Sequence, residues 1–177
     1  PISPAAPLLR LGAAELAWCR RCNALAGRHA VERTFALVSR LGDGVFWYAL
    51  MLALLLANGQ PALAAVVRML AAGMLGLGLY KWLKSRTRRP RPCASSALIR
   101  VTVAPLDEYS FPSGHTLHAV AFSIVACAHH PRLVWALAPF ALLVAASRLV
   151  LGLHYPSDVL AGALLGALCA GLVLALP

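Results

Sequence analysis

The chain has 177 residues, of which 60% are hydrophobic and 12% charged, against roughly 25% charged residues in an ordinary soluble domain. That balance excludes a disordered chain, which needs low hydrophobicity, and a water-soluble nucleic-acid-binding globule, despite a net charge of +10. Five cysteines, an odd number, three of them in apolar surroundings, argue against a disulfide-stapled secreted module.

A chain of this length and composition reads as one small polytopic membrane domain. Residues 1–43 mix Leu8, Leu9, Leu11, Leu16, Trp18, Leu25, Phe35 and Leu37 with Arg10, Arg20, Arg21, Arg28, Arg33 and Arg40. No uninterrupted span fits there, and the pattern predicts an amphipathic helix lying in the membrane–water interface. The segment lacks the apolar core of a secretory leader. A spanning helix needs about 20 mostly apolar residues, and five segments approach this. The first, Gly44 to Ala57, ends at the turn signal Asn58-Gly59-Gln60-Pro61. The second, Pro61 to Tyr80, is interrupted by Arg68, and residues 81–114 are then polar, basic and proline-rich. The third runs from about Pro112 to Ala128 and is closed by His129-His130-Pro131-Arg132. The fourth covers Leu133 to Leu149, with Pro139 inside it, which a membrane bundle tolerates. The fifth is Val159 to Leu176. The expected fold is an all-α polytopic bundle of about five spans, residues 44–177, preceded by the interfacial segment.

Threading these spans as hairpins gathers fourteen of the sixteen Lys and Arg residues, and all six Asp and Glu residues, at one membrane face. The chemistry is therefore expected there. The positive-inside rule turns that face towards the cytoplasm, of a bacterial inner membrane, with an outward-facing site as the alternative.

Three stretches on that face carry candidate chemistry. Lys84-Ser-Arg-Thr-Arg-Arg-Pro-Arg91-Pro92 suits either a headgroup-binding flank or a phosphate clamp, since the Arg fork grips two phosphate oxygens while Lys offers a point charge. In Phe111-Pro112-Ser113-Gly114-His115 a proline, a small residue and a glycine at a helix start leave backbone N–H groups free for an anion. Ser113 adds a hydroxyl, or simply a cap, and His115 a proton near neutral pH. In Ser147-Arg148-x3-Gly152-x-His154-Tyr155-Pro156-x-Asp158, Asp158 follows His154 by four residues. Its carboxylate can fix the Nδ1–H tautomer and leave Nε2 as a nucleophile, or it can cap the fifth helix. Two imidazoles, several cations and a helix start at one place suit phosphoryl transfer, which is mostly positioning and charge stabilisation. No carboxylate-rich set offers a metal cage, so the cations are expected to do that work and no cofactor is expected.

The pattern Lys84-x6-Arg91-Pro92, Pro112-Ser113-Gly114-His115 and Ser147-Arg148-x3-Gly152-x-His154-Tyr155-Pro156-x-Asp158 resembles the type 2 phosphatidic acid phosphatase superfamily, with all three motifs in order and correctly spaced. The resemblance spans residues 84–158 and the flanking helices. It implies that His154 is the nucleophile forming a phosphohistidine, Asp158 its orienting partner and His115 the general acid. It implies that Lys84, Arg91, Arg148, Ser113 and the Gly114 N–H hold the substrate phosphate, without metal. It also implies a lipid monophosphate or diphosphate substrate: a polyprenyl diphosphate, phosphatidylglycerol phosphate or phosphatidic acid. A phosphotransferase to a second lipid and a non-catalytic headgroup-binding protein are the rival readings.

Smaller signals remain. Cys19-x2-Cys22 is a single CxxC without a second pair. His118 sits one turn beyond His115, where it lines the pocket or faces the bundle. Arg68 lies within an apolar helix, which is costly in hydrocarbon, and it either snorkels or pairs. His129 and His130 sit on the opposite face.

Overall fold

The computed structural model describes residues 6–105 and 107–176. Residues 1–5 of the interfacial segment, and the side chains of Leu8, Leu9, Arg10 and Leu11, lie outside the described residues. The described residues form eight α-helices in chain order: α1 (Ala6–Ala24), α2 (His29–Arg40), α3 (Phe46–Asn58), α4 (Leu63–Thr87), the short α5 (Pro92–Ser95), α6 (Gly114–His129), α7 (Val134–Val150) and α8 (Pro156–Leu174). Among the described residues there is no strand. Among the described residues four helical runs are long and apolar enough to cross a membrane: His29–Asn58, Gln60–Ser95, Pro131–Val150 and Pro156–Leu174. The remaining expected span is α6, whose 16 residues rise about 24 Å. It is the central element, packed against α4, α7 and α8.

The expected boundaries need two corrections. A wide turn over Leu41–Val45, with Gly44 out of helical conformation, kinks the chain between α2 and α3, and α2 packs along α7. From α1, Asn23 donates to the Val150 and Arg100 carbonyls at 2.9 and 3.0 Å. The turn depends on Gly44, whose φ of 130° is open to glycine and strained for other residues. The second span continues to Thr87 rather than Tyr80, so Lys84 sits on a helix. The last begins at Pro156 rather than Val159, which places Asp158 in its first turn, where a negative charge is favoured.

The core is built from Trp47, Met69, Phe122, Val125, Leu137 and Val144. Large apolar side chains such as Leu56, Trp135 and Leu142 are 71–85% exposed around the outside, as a lipid-facing surface requires. Helices α6 and α8 meet through Gly162 and Gly166. A Cβ on Gly162 would stand 2.5 Å from the Ser113 carbonyl oxygen, and one on Gly166 would run into the Leu117 carbonyl. This small-xxx-small contact brings two backbones together as in membrane helix pairs generally. It sets the His115-bearing start of α6 beside the Asp158-bearing start of α8, where the Ser113 N–H donates to the Asp158 carbonyl at 3.0 Å.

Candidate active site

A cavity of about 670 Å³ opens at the charged end of the bundle. Its polar wall contains Lys84, Arg91, Gly114, His115, Arg148 and His154, and its apolar wall continues along Leu70, Met74, Leu77, Trp47 and Phe122. Six of the eight sequence-derived site residues thus share one wall. Asp158 stands directly behind His154. Ser113 does not reach the cavity either. It is fully buried, and its hydroxyl shares a hydrogen bond of 3.0 Å with the Thr116 hydroxyl.

His154 is 2% exposed, in the loop that reverses the chain between α7 and α8. That reversal needs Gly152, at φ 70°, where any Cβ would collide with Ile99. Arg91 Nη1 lies 3.3 Å from His154 Nε2. A guanidinium only donates, so Nε2 is the acceptor and the ring proton sits on Nδ1. Nδ1 faces Asp158 Oδ2 at 3.7 Å, beyond hydrogen-bond range, and is buried without another partner. Apo catalytic contacts commonly tighten only on binding substrate. Burial, opposed by the Asp158 carboxylate, pushes the imidazole from the usual 6.5 down to about 4, so it is a neutral base at physiological pH.

The cations are held ready by acceptors. Lys84 Nζ donates to both Asp107 carboxylate oxygens, at 2.6 and 2.7 Å, and to the Tyr109 carbonyl at 3.0 Å. Arg91 donates to Asp107 Oδ1 at 2.5 Å and to the Leu153 carbonyl at 2.7 Å. Arg148 is 2% exposed and donates to the Ser39 and Ser147 hydroxyls. Asp107 therefore engages two of the three cavity-wall cations. Burial alone would raise its carboxyl, but Lys84 and Arg91 hold it below the usual range.

Three further residues enter the site without having been singled out. Asp43, carried by the wide turn between Gly42 and Gly44, pairs with His115 Nε2. Arg89 donates to Asp158 Oδ1 at 2.7 Å, and Glu15 of α1 accepts from Arg89 at 2.6 Å. Asp43 carried a weak signal, an acid flanked by two glycines at the head of an apolar run. Arg89 is one of several neighbouring cations and Glu15 one acid on a basic helix, so neither stands out in one dimension.

The smaller signals also resolve. His118 lines the cavity, with its ring nitrogens 2.9 and 3.1 Å from the Gly114 and Gly73 carbonyls. Arg68 pairs at the far end of the bundle, 3.4 Å from His129 Nε2 and donating to the Leu176 carbonyl at 3.3 Å. Cys19 and Cys22 are both free thiols. Burial pushes the Cys19 thiol up to about 12, which removes the thiolate that redox or metal chemistry needs. Among the described residues no three His, Cys, Asp or Glu side chains cluster to hold a metal ion.

Comparison with known proteins agrees with this geometry. The Bacillus subtilis (strain 168) undecaprenyl-diphosphatase BcrC is 38% identical over 82 residues, 46% of this chain and 42% of that protein. A decaprenylphosphoryl-5-phosphoribose phosphatase of Mycolicibacterium smegmatis is 38% identical over 143 residues, 78% of this chain and 75% of that protein. Of the two BcrC relatives matched, the chain spans about half the length, 42% and 54%. The crystal structure of Aquifex aeolicus LpxE superposes with a TM-score of 0.76 at 28% identity, covering 88% of this chain and 92% of that one. The sequence profile of the PAP2 superfamily matches residues 61–177, a stretch that contains all three motifs with His115 and His154. The chain belongs to the PAP2 superfamily.

Proposed function

We propose that the protein is a membrane lipid phosphatase that cleaves a phosphomonoester or diphosphate by way of a phosphohistidine on His154. The observation that carries this reading is the state of His154: Nε2 is an acceptor on the cavity wall beside Arg91, while Nδ1 is turned to Asp158. In the first step the Nε2 lone pair attacks phosphorus, the phosphorus–oxygen bond to the leaving group breaks, and His115 gives that oxygen its proton. In the second step His115 takes a proton from water, the hydroxide displaces the phosphoryl group from Nε2, and inorganic phosphate leaves. Lys84, Arg91, Arg148 and the Gly114 N–H hold the equatorial oxygens, where charge accumulates in the transition state. Asp158 balances the positive charge that forms on the His154 ring. Ser113 contributes from behind the wall, by fixing the start of α6 through Thr116 and the Asp158 carbonyl.

The apolar continuation of the cavity past Leu77, Met74 and Leu70 supports a substrate with a lipid tail. The names of the relatives support a polyprenyl phosphate or diphosphate. The residues assigned to the phosphate need no metal. We place the protein in a bacterial inner membrane with its site towards the cytoplasm, as the Lys and Arg bias favours. In a variant retaining only Cys93, an impermeant thiol reagent then labels the protein only after that membrane is opened.

The direct test is phosphate release from polyprenyl diphosphates, phosphatidylglycerol phosphate and phosphatidic acid in detergent and EDTA. Turnover, its inhibition by vanadate and its loss in His154→Ala are expected. Activity lost to the chelator and restored by Mg²⁺ would refute the metal-free reading. Equal activity in His154→Ala would refute the nucleophile.

A further inference from the structure

The PAP2 match begins at residue 61, yet α1, well before it, reaches the site. Glu15 is the one acidic residue of α1. Its Oε2 accepts from Arg89 Nη2 at 2.6 Å and its Oε1 accepts the Ser157 N–H, at the start of α8, at 2.9 Å. Arg89 Nη1 donates onward to Asp158 Oδ1 and to the Ser157 hydroxyl, both at 2.7 Å. The guanidinium lies 4.0 Å from the centre of the Tyr155 ring, and the Arg89 carbonyl is pinned by the Ser110 N–H at 2.9 Å. The other oxygen of Asp158, Oδ2, accepts the Tyr155 N–H at 2.8 Å and faces His154. The Asp158 side chain is fully buried, while Arg89 and Glu15 are 27% and 21% exposed.

From this chain of contacts we propose that Arg89 and Glu15 are positioning residues for the nucleophile: Arg89 fixes the Asp158 carboxylate against His154, and Glu15, supplied by the N-terminal helix, fixes Arg89. The inference rests on the phosphatase reading above. A buried carboxylate with one oxygen committed to a backbone N–H can rotate only if its other oxygen is released. Arg89 prevents that release with a planar fork that a lysine cannot reproduce. Glu15 occupies the other side of the fork and also holds Ser157, so guanidinium and loop move as one body. A partly exposed ion pair adds little to global stability, whereas a small displacement of a reacting group is costly in rate. The arrangement therefore bears on turnover far more than on folding.

The test uses the full chain in detergent with farnesyl diphosphate and dioctanoyl phosphatidic acid as probes. Arg89→Gln is expected to lower kcat by about tenfold to fiftyfold with KM little changed, because orientation rather than binding is lost. Glu15→Gln is expected to lower kcat by a smaller factor, about threefold to tenfold, and Arg89→Lys to recover part of the Arg89→Gln loss. Because Glu15 acts through Arg89, the double variant is expected to be no slower than Arg89→Gln alone. Melting temperatures are expected to stay near wild type. Wild-type kcat in Glu15→Gln, losses that multiply in the double variant, or losses that track a falling melting temperature would each overturn the proposal. The 15N shifts of the His154 imidazole, read without substrate, are expected to move in Glu15→Gln, and their constancy would also overturn it. Failure of the phosphatase reading is separate: wild type and His154→Ala would then be equally inactive on both probes, while the imidazole shifts still report on the positioning.

Discussion

Replacing Asp158 by Asn removes one negative charge, and the acceptor for Arg89, at nearly constant shape. In the mechanism proposed above, the His154 ring becomes cationic as Nε2 bonds to phosphorus, and the carboxylate 3.7 Å from Nδ1 is its counter-charge. With an effective dielectric constant of about 20, two unit charges at that separation attract by about 4.5 kcal/mol. Arg89, 2.7 Å from the other carboxylate oxygen, opposes this attraction, and halving it leaves about 2 kcal/mol, or about thirtyfold in rate. The asparagine carbonyl can still accept the Tyr155 N–H that Asp158 Oδ2 holds at 2.8 Å, which keeps the start of α8 in place, while its amide N–H2 faces Arg89 donor to donor and that contact is lost. Steady-state phosphate release in detergent should therefore show kcat reduced about thirtyfold and KM within about twofold of wild type. Acid-quenched, phosphate-labelled enzyme should show slower appearance of the phosphohistidine. A kcat loss below about threefold, or a loss confined to KM, would refute the assignment of Asp158 as the charge partner of the nucleophile.

Three further outcomes follow from particular contacts. Because burial holds the His154 imidazole down to about 4, the acid limb of kcat/KM should fall near pH 4 rather than 6.5. Between those values the unfolded chain binds a proton that the folded one does not. Stability should therefore drop as pH is lowered through that window, by up to about 3 kcal/mol, an effect that His154→Ala removes in pH-dependent melting. In Gly162→Ala the new Cβ meets the Ser113 carbonyl at 2.5 Å, so a loss of about 1–3 kcal/mol is expected from overpacking, seen as a lower melting temperature in detergent. An unchanged melting temperature would contradict the close α6–α8 contact. Asp107→Asn frees Lys84 and Arg91 from their internal carboxylate and should lower the vanadate inhibition constant several-fold, whereas weaker inhibition would mean that Asp107 organises the clamp rather than competes for it.

Much of this protein is decided by local sequence. The membrane class follows from composition, since 12% charged residues cannot cover a soluble surface. The spans at α4, α7 and α8 follow from apolar runs whose length the bilayer dictates, and the proximity of His154 and Asp158 follows from a four-residue spacing at a helix start. The collection of Lys84, Arg91, His115 and Arg148 at one face follows from counting the hairpins. Other features depend on partners far apart in the chain. The packing of α2 along α7 is one, since the arginine-rich composition of α2 carries no sign of its partner. Ser113, which the sequence offers as a phosphate ligand or a cap, has its hydroxyl against Thr116 where α8 approaches closely at Gly162. Asp43, Arg89 and Glu15 gain their roles only from contacts 69 to 74 residues away in sequence. An ion pair or hydrogen bond is specified by the three-dimensional position of both its ends, and no spacing rule in one dimension can carry that information.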